Sequence, residues 1–182
     1  MMETNNNILA TLNQNISPLN NKLIRVKKRL DLTKDNIINV FDAYSFIMSH
    51  KSTLRKLLSK NDDAIFDVLF SIREPCVKFK ILAEQYKIDR DEFLIKFFQQ
   101  NPILLNQQHE NMRKMKELLG SSKSEEEANK IKLLLDTFQI QLDSIETDFL
   151  EFNNFYQSGT VEKLIDECET TIQSIFEKAK PH

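Results

Sequence analysis

The chain has 182 residues, of which 41% are hydrophobic, and its formal net charge is −2 at pH 7. That length suits a single domain, and that apolar content suffices for a hydrophobic core, so the composition excludes a disordered chain. Only two glycines occur, whereas sheets and phosphate-binding loops depend on glycine at their turns. The composition therefore predicts an all-α fold.

The first third of the chain predicts a polar, disordered end over residues 1–7, a short helix to Ile16, and then a long helix. Ser17 and Pro18 have the residue types of an N-cap and a first helical position, which predicts that the long helix covers 18–49. Its core-facing positions recur at alternating steps of four and three residues, with Thr33 the one polar member. A break near Thr33 is the alternative.

The middle of the chain is divided by prolines and capping residues, each of which predicts a new helix. Asp62, Asp89 and Asn101 have N-cap residue types, and Pro75 and Pro102 suit first helical positions. Gly120 suits the position after a helix end. The predicted helices cover 53–60, 62–73, 75–87, 90–100 and 102–119.

The last third contains the most regular apolar pattern, which predicts a helix over 125–157 capped by Ser124. The apolar residues again recur at steps of four and three, a spacing that places them on one helical stripe. They are Ile131, Leu135, Phe138, Leu142, Ile145, Phe149, Phe152 and Tyr156. Gly159 then ends this helix, and Thr160 caps a final one that carries a similar stripe from Val161 to Ala179.

A helix over 124–157 would be about 50 Å long, which exceeds the roughly 40 Å diameter of a compact globule of this chain length. We therefore expect an elongated helical bundle with two long, coiled-coil-like helices and several shorter ones. Residues 8–180 form one predicted domain, in which a loop at 120–124 separates a multi-helix part (8–119) from a helical hairpin (125–180). The heptad seams could close within the chain or between chains.

The sequence contains no recognisable catalytic, cofactor-binding or metal-binding motif. The three histidines are scattered, and Cys76 and Cys168 stand apart from each other and from any histidine. Neither a phosphate-binding loop nor an HExxH motif occurs. We expect no catalytic, cofactor-binding or metal-binding residues, and hence a protein that is not an enzyme. The polar N-terminal residues and the absence of a long apolar stretch predict a cytoplasmic protein without a membrane span.

The predicted function is protein–protein interaction through heptad helix faces, as a scaffold, an adaptor or a subunit of a helical assembly. The partner could be another protein or a second copy of the chain. Aromatic side chains are favoured anchors in interfaces, and they crowd at one end of the stripe. The expected contact residues are Phe149, Phe152, Phe155 and Tyr156. For Phe149 and Phe152, burial in the bundle core is the alternative.

Charge is distributed unevenly, with ten Lys/Arg against four Asp/Glu in residues 1–60 and three against ten in residues 133–182. The basic face could contact the acidic face at 143–151 or bind a different partner. Nucleic acid and peripheral membrane contact are disfavoured, the latter because the apolar side of this stretch lacks aromatics. The basic face consists of Lys22, Arg25, Lys27, Lys28 and Arg29.

Two further segments suggest alternative functions. Leu82–Phe93 resembles a degenerate helix-turn-helix motif within 80–98, which would imply a nucleic-acid-associated regulator. Asp89, Asp91 and Glu92 would, however, face the phosphates unfavourably. The basic helix over 22–34 is the other segment through which such a regulator could act. The acidic block Asp166–Glu169 resembles the C-terminal signals of some type IV secreted bacterial effectors, and that resemblance implies secretion and binding to a host protein.

Overall fold

The computed structural model describes residues 8–120 and 125–178, and within these ranges every element is helical. The predicted all-α fold is therefore confirmed. Four predictions lie outside the described residues: the disordered segment 1–7, the loop at 121–124, Ser124 as a helix cap, and Ala179 as the last stripe position of the final helix.

The chain enters its first long helix through a π-helical turn at Leu12–Ile16, and a second π-helical turn at Arg90–Leu94 joins two later helices. The predictions of helices over 18–49, 53–60 and 125–157 agree with the observed bounds to within two residues at each end. The helices are α1 Ser17–Ser49, α2 Lys51–Ser59, α3 Ala64–Asp89, α4 Ile95–Gly120, α5 Glu125–Gln157 and α6 Thr160–Lys178.

The predicted helix starts at Pro75 and Pro102 are wrong, because both prolines lie inside helices, in α3 and α4. A proline at the first turn and a proline in the interior have the same local sequence signals. Interior proline removes one backbone hydrogen bond and crowds the preceding turn, at a cost of about 3 kcal/mol. Burial along both helices offsets that cost here.

The predicted roles of Ser17 and Asp89 as N-caps are also wrong. The chain is already helical before Ser17, whose backbone N–H donates to the Leu12 carbonyl in the wider π-helical pattern. That wider turn directly precedes Pro18, where an α-helical turn would meet the proline ring. Asp89 ends α3 with a buried side chain. Thr33 is buried within α1, so the alternative break there is excluded.

The chain forms two compact units, each assembled from segments distant in sequence. Unit 1 consists of Met1–Leu30 and Leu94–Asn154, and unit 2 of Asp31–Phe93 and Phe155–His182. The helices α1 and α5 each contribute residues to both units. The single domain divided at 120–124 stays a prediction.

Unit 1 has an apolar core that surrounds the first π-helical turn. The side chain of Gln108 is fully buried and donates from Nε2 to the Ile16 carbonyl at 3.1 Å. Asn20 donates to Oε1 of Gln141 at 3.1 Å. Both of these buried side chains therefore have partners. The largest apolar core residues of unit 1 include Leu23, Leu30, Phe97, Met112, Leu135, Leu142 and Phe149.

Unit 2 is built around α3, which packs against α2 and α6. The predicted stripe of α6 is buried from Val161 to Ile175, and the stripe of α1 is buried at Ile37, Val40 and Ile47. Gly159 has φ +71 and turns the chain from α5 into α6, as the sequence predicts. The buried side of α3 comprises Ile65, Leu69, Ile72, Cys76, Phe79, Ala83 and Tyr86.

Candidate interaction surface

The structure places two of the four predicted contact residues in the core of unit 1. Phe149 is 1% exposed and Phe152 is 4% exposed. The ring of Phe149 meets Phe97 edge-on at 4.9 Å between centroids, and the ring of Phe152 stacks on Phe98 at 6.0 Å. Such contacts add stability beyond area burial. These two side chains are core residues of the folded unit, which is the alternative stated above.

The other two predicted contact residues belong to unit 2. Phe155 is 37% exposed, and its ring meets Phe41 edge-on at 6.1 Å. Tyr156 is partly exposed, and its hydroxyl lies 3.5 Å from Oε1 of Glu162. The aromatic end of α5 is therefore divided between two environments.

The basic face of α1 lies in unit 1, where Lys22, Arg25 and Lys28 are exposed. Lys27 forms an ion pair with Asp148 at 3.3 Å, and both side chains are 33% exposed. One residue of the basic face thus contacts the acidic face at 143–151. A pair this exposed contributes at most about 1 kcal/mol.

The predicted helix-turn-helix geometry at 80–98 is wrong. Lys87 and Ile88 lie within α3, and the chain continues through the π-helical turn at Arg90–Leu94 directly into α4. No turn reorients a recognition helix in this segment. The helix-turn-helix resemblance therefore has no structural counterpart.

An exposed apolar stripe that the sequence did not predict runs along α3. We call it the α3 stripe. Its members lie eleven residues apart in two interleaved sets, and eleven residues complete three helical turns with only about 20° left over. All five side chains therefore lie within an arc of roughly 60°. They are Phe66 (50% exposed), Phe70 (78%), Val77 (51%), Ile81 (64%) and Ile88 (46%).

The α3 stripe lies on the other side of α3 from its buried residues. A helix with two apolar faces is normally covered on both, yet only one face of α3 is covered by the described residues. Isolated exposed apolar residues are ordinary, whereas a contiguous row of five indicates an interaction site. A signal in the sequence could have found it: the eleven-residue spacing of Phe66, Val77 and Ile88.

Charged residues flank the α3 stripe on both sides. Glu74 and Lys78 lie on one flank, and Arg73 and Lys80 lie on the other. Glu84, about five helical turns from Phe66, lies at the edge of the stripe itself. Arg73, Glu74 and Lys78 make no ion pair with other residues in the described ranges. Their charges are thus available to a molecule that covers the stripe.

A groove of about 670 Å³ adjoins the second flank, between α3 and α6. Val77, Ile172 and Phe176 supply its apolar lining, and Glu169 and Glu177 supply acidic side chains from α6. Lys87 bridges the two helices to Glu169 at 3.0 Å. That hydrogen bond is the main cause of the raised pKa of Lys87.

A part-buried polar cluster joins the C-terminal end of α3 to α6 on the side away from the stripe. The Tyr86 hydroxyl donates to Oε1 of Glu162 at 2.9 Å, and Nη1 of Arg90 lies 3.2 Å from Oε2 of the same carboxylate. Burial raises the pKa of Tyr86, and its hydrogen bonds with Tyr156 and Glu162 raise it further. The cluster fixes the register of α3 on α6.

The two cysteines lie in the core of unit 2, one on α3 and one on α6. Burial raises the pKa of Cys76, and burial raises the pKa of Cys168 to about 12. Because only the thiolate is nucleophilic, both are poorly reactive at neutral pH.

In residues 8–120 and 125–178, no group of three or more potential metal ligands occurs. No helix among them is long and apolar enough to cross a membrane.

Comparison with known proteins found no matching protein family, no similar curated protein and no similar solved structure. The class that the structure defines is an all-α protein. Its candidate site is the α3 stripe with its charged flanks.

Proposed function

We propose that this chain is a non-enzymatic protein-interaction module that binds a partner through the α3 stripe. One observation carries the proposal: five large apolar side chains form a single exposed row on a helix whose other face is buried. Each leaves roughly 100 Å² of apolar surface in water. Covering the row would remove about 500 Å² from water, which is a strong driving force before the costs of association.

The shape of the surface favours a helical partner. From Phe66 to Ile88 the row is about 33 Å long, and it is only one side chain wide. Helices recognise such rows by interdigitating side chains spaced three, four and seven residues apart. The roles of scaffold, adaptor or assembly subunit belong to the same proposal, since each requires a binding face of this kind.

The proposal is tested by replacing Phe70 with the photo-crosslinking amino acid p-benzoylphenylalanine and irradiating cells that produce the protein. Phe70 is the most exposed member of the stripe, at 78%. The matched control carries the same label at Ile140 of α5, which is 71% exposed and lies outside the stripe. We expect a discrete adduct from position 70 and none from position 140. Equal labelling from both positions, or none from either, contradicts the proposal.

A further inference from the structure

We infer that the α3 stripe binds the α3 stripe of a second copy of the chain, in an antiparallel pair whose two-fold axis passes beside Val77. The inference rests on the proposed function, because it names the partner of the same surface. Three properties of the stripe support a second copy: its symmetric spacing, the reciprocal charges on its flanks, and its area.

Three of the five members of the stripe are spaced symmetrically about its centre. Phe66 and Ile88 each lie eleven residues from Val77, one on either side. In a two-fold pair every contact occurs twice, so residue i must meet residue j wherever j meets i. An antiparallel pair centred on Val77 satisfies this condition by placing Phe66 opposite Ile88 of the second copy.

The remaining members interdigitate in the same register. Phe70 of one copy projects between Ile81 and Ile88 of the other copy. Likewise, Ile81 of one copy projects between Phe70 and Val77 of the other copy. Each side chain thus enters a gap between two side chains of the facing helix, which is the packing that helix pairs prefer. In this register Glu84 and Arg73 of the second copy lie directly opposite Phe70 and Ile81, so each charged side chain must turn toward its flank.

The charges on the first flank are reciprocal in this arrangement. In an antiparallel helix pair, like flanks face each other. Lys78 therefore lies near Glu74 of the second copy, and the contact is repeated by symmetry. Both residues are exposed and make no ion pair with the described part of their own chain. The flank supplies two opposite-charge contacts that orient the helices.

The second flank carries balanced charge, so that two copies of it can meet. Basic Arg73, Lys80 and Lys87 alternate there with acidic Glu84, Glu169 and Glu177. The arrangement brings Arg73 close to Lys80 of the second copy, and the neighbouring acidic side chains offset that repulsion.

The area suits a dimer of moderate strength. The apolar row gives about 500 Å² per copy, whereas stable interfaces bury about 800 Å² per partner. A dimer of ordinary area would therefore also have to cover the two charged flanks. We therefore expect a dimer that dissociates on dilution.

Sedimentation equilibrium of the full chain over a concentration series tests the inference. The monomer mass is 21.4 kDa, and we expect a reversible shift to twice that mass. Phe70→Glu and Ile81→Glu should each weaken dimerisation at least tenfold, whereas the control Ile140→Glu should not. These positions are 64% exposed or more, so the helical circular dichroism should be unchanged. A monomer at every concentration, or a dimer that is insensitive to both stripe substitutions, overturns the inference.

Disulfide trapping tests the orientation. A mixture of Phe66→Cys and Ile88→Cys chains should give a covalent dimer that contains one of each, while Phe66→Cys alone should not. The native thiols do not compete, because both are buried. Trapping with Phe66→Cys alone contradicts the antiparallel pair.

Charge reversal completes the test. Lys78→Glu should weaken dimerisation, and Glu74→Lys in the same chain should restore it; no restoration contradicts the proposed contact.

The outcomes of these experiments distinguish the proposed function from the inference of a second copy. A monomeric protein whose Phe70 label attaches to a different protein overturns the second copy and leaves the proposed function standing. A protein that is monomeric and unlabelled overturns both.

Discussion

Phe149 and Phe155 lie six positions apart on α5 in opposite environments. Phe149 is 1% exposed against Phe97, whereas Phe155 is 37% exposed beside Phe41. Truncation of a buried phenylalanine costs about 3–5 kcal/mol. We expect Phe149→Ala to lower the free energy of unfolding by that amount and Phe155→Ala to lower it by about 1 kcal/mol. Urea denaturation of both variants measures the difference, and equal losses would contradict the assigned core position.

Asp89 shows how a residue with a capping signal can instead serve the core. It is 1% exposed, and its carboxylate accepts hydrogen bonds from Asn36 at 3.1 Å and Gln85 at 3.2 Å. Asparagine would place an amide donor against a donor, so Asp89→Asn should destabilise unit 2 by about 1–3 kcal/mol.

The control for this prediction is Asp91→Asn, since Asp91 pairs with Arg90 at the surface and its side chain is 61% exposed. It should change stability by less than about 1 kcal/mol. Thermal unfolding compares the two variants, and a loss at Asp89→Asn no larger than that at Asp91→Asn would contradict the stabilising role of the buried carboxylate.

At the scale of elements, the sequence predicted the helices whose apolar periodicity is uninterrupted. The bounds of α1 and α5 follow from their steps of four and three residues, and the turn before α6 follows from Gly159. The sequence divided α3 and α4 wrongly, because a proline signal is local while the packing that overrides it involves distant residues. The division at Pro75 separated Phe66 and Phe70 from the rest of the α3 stripe, which is why the stripe was missed.

Pro75 should destabilise α3 in the folded protein. Alanine at this position would restore the backbone donor and remove the clash with the preceding turn. We expect Pro75→Ala to raise the free energy of unfolding by about 1–3 kcal/mol. The matched variant is Pro18→Ala, which should gain less because a π-helical turn already precedes Pro18. Chemical denaturation decides between them, and an equal gain at both positions would contradict the role given to the π-helical turn.

At the scale of the whole molecule, heptad stripes predicted which residues are buried without predicting which elements bury them. The stripe of α1 is buried at Leu23 in unit 1 and at Ile47 in unit 2. Both look alike in the sequence, because periodicity records one helix at a time. The first part of α1 shares unit 1 with Leu94–Asn154, which lies more than sixty residues further along the chain. The second part of α1 shares unit 2 with the helices that follow it and with Phe155–His182. Only the tertiary structure assigns them.

Unit 2 should lose stability in alkali, because the pKa values of several of its groups are raised. Burial raises the pKa of Cys168 from 9.0 to about 12, and burial also raises the pKa of Tyr86 above 10.0. A group whose pKa is raised in the folded protein makes its full contribution to stability below its ordinary pKa. That contribution is lost as the pH rises toward the pKa of the group in the folded protein. The loss should begin near pH 9 with the thiol and increase above pH 10, by about 1.4 kcal/mol per pH unit for each group.

Urea denaturation at a series of pH values from 8 to 11, followed by circular dichroism, should show a midpoint that falls above about pH 9. All three tyrosines lie in unit 2, so tyrosinate absorbance reports on that unit. Tyr86 should ionise only when unit 2 unfolds, and Tyr86→Phe should remove that late step. The second comparison is Cys168→Ala, which should make the decline between about pH 9 and 10 less steep, because it removes one of the two buried thiols whose ionisation opposes folding there. A midpoint independent of pH, or a Tyr86 that ionises in the folded protein, would contradict the burial of these groups.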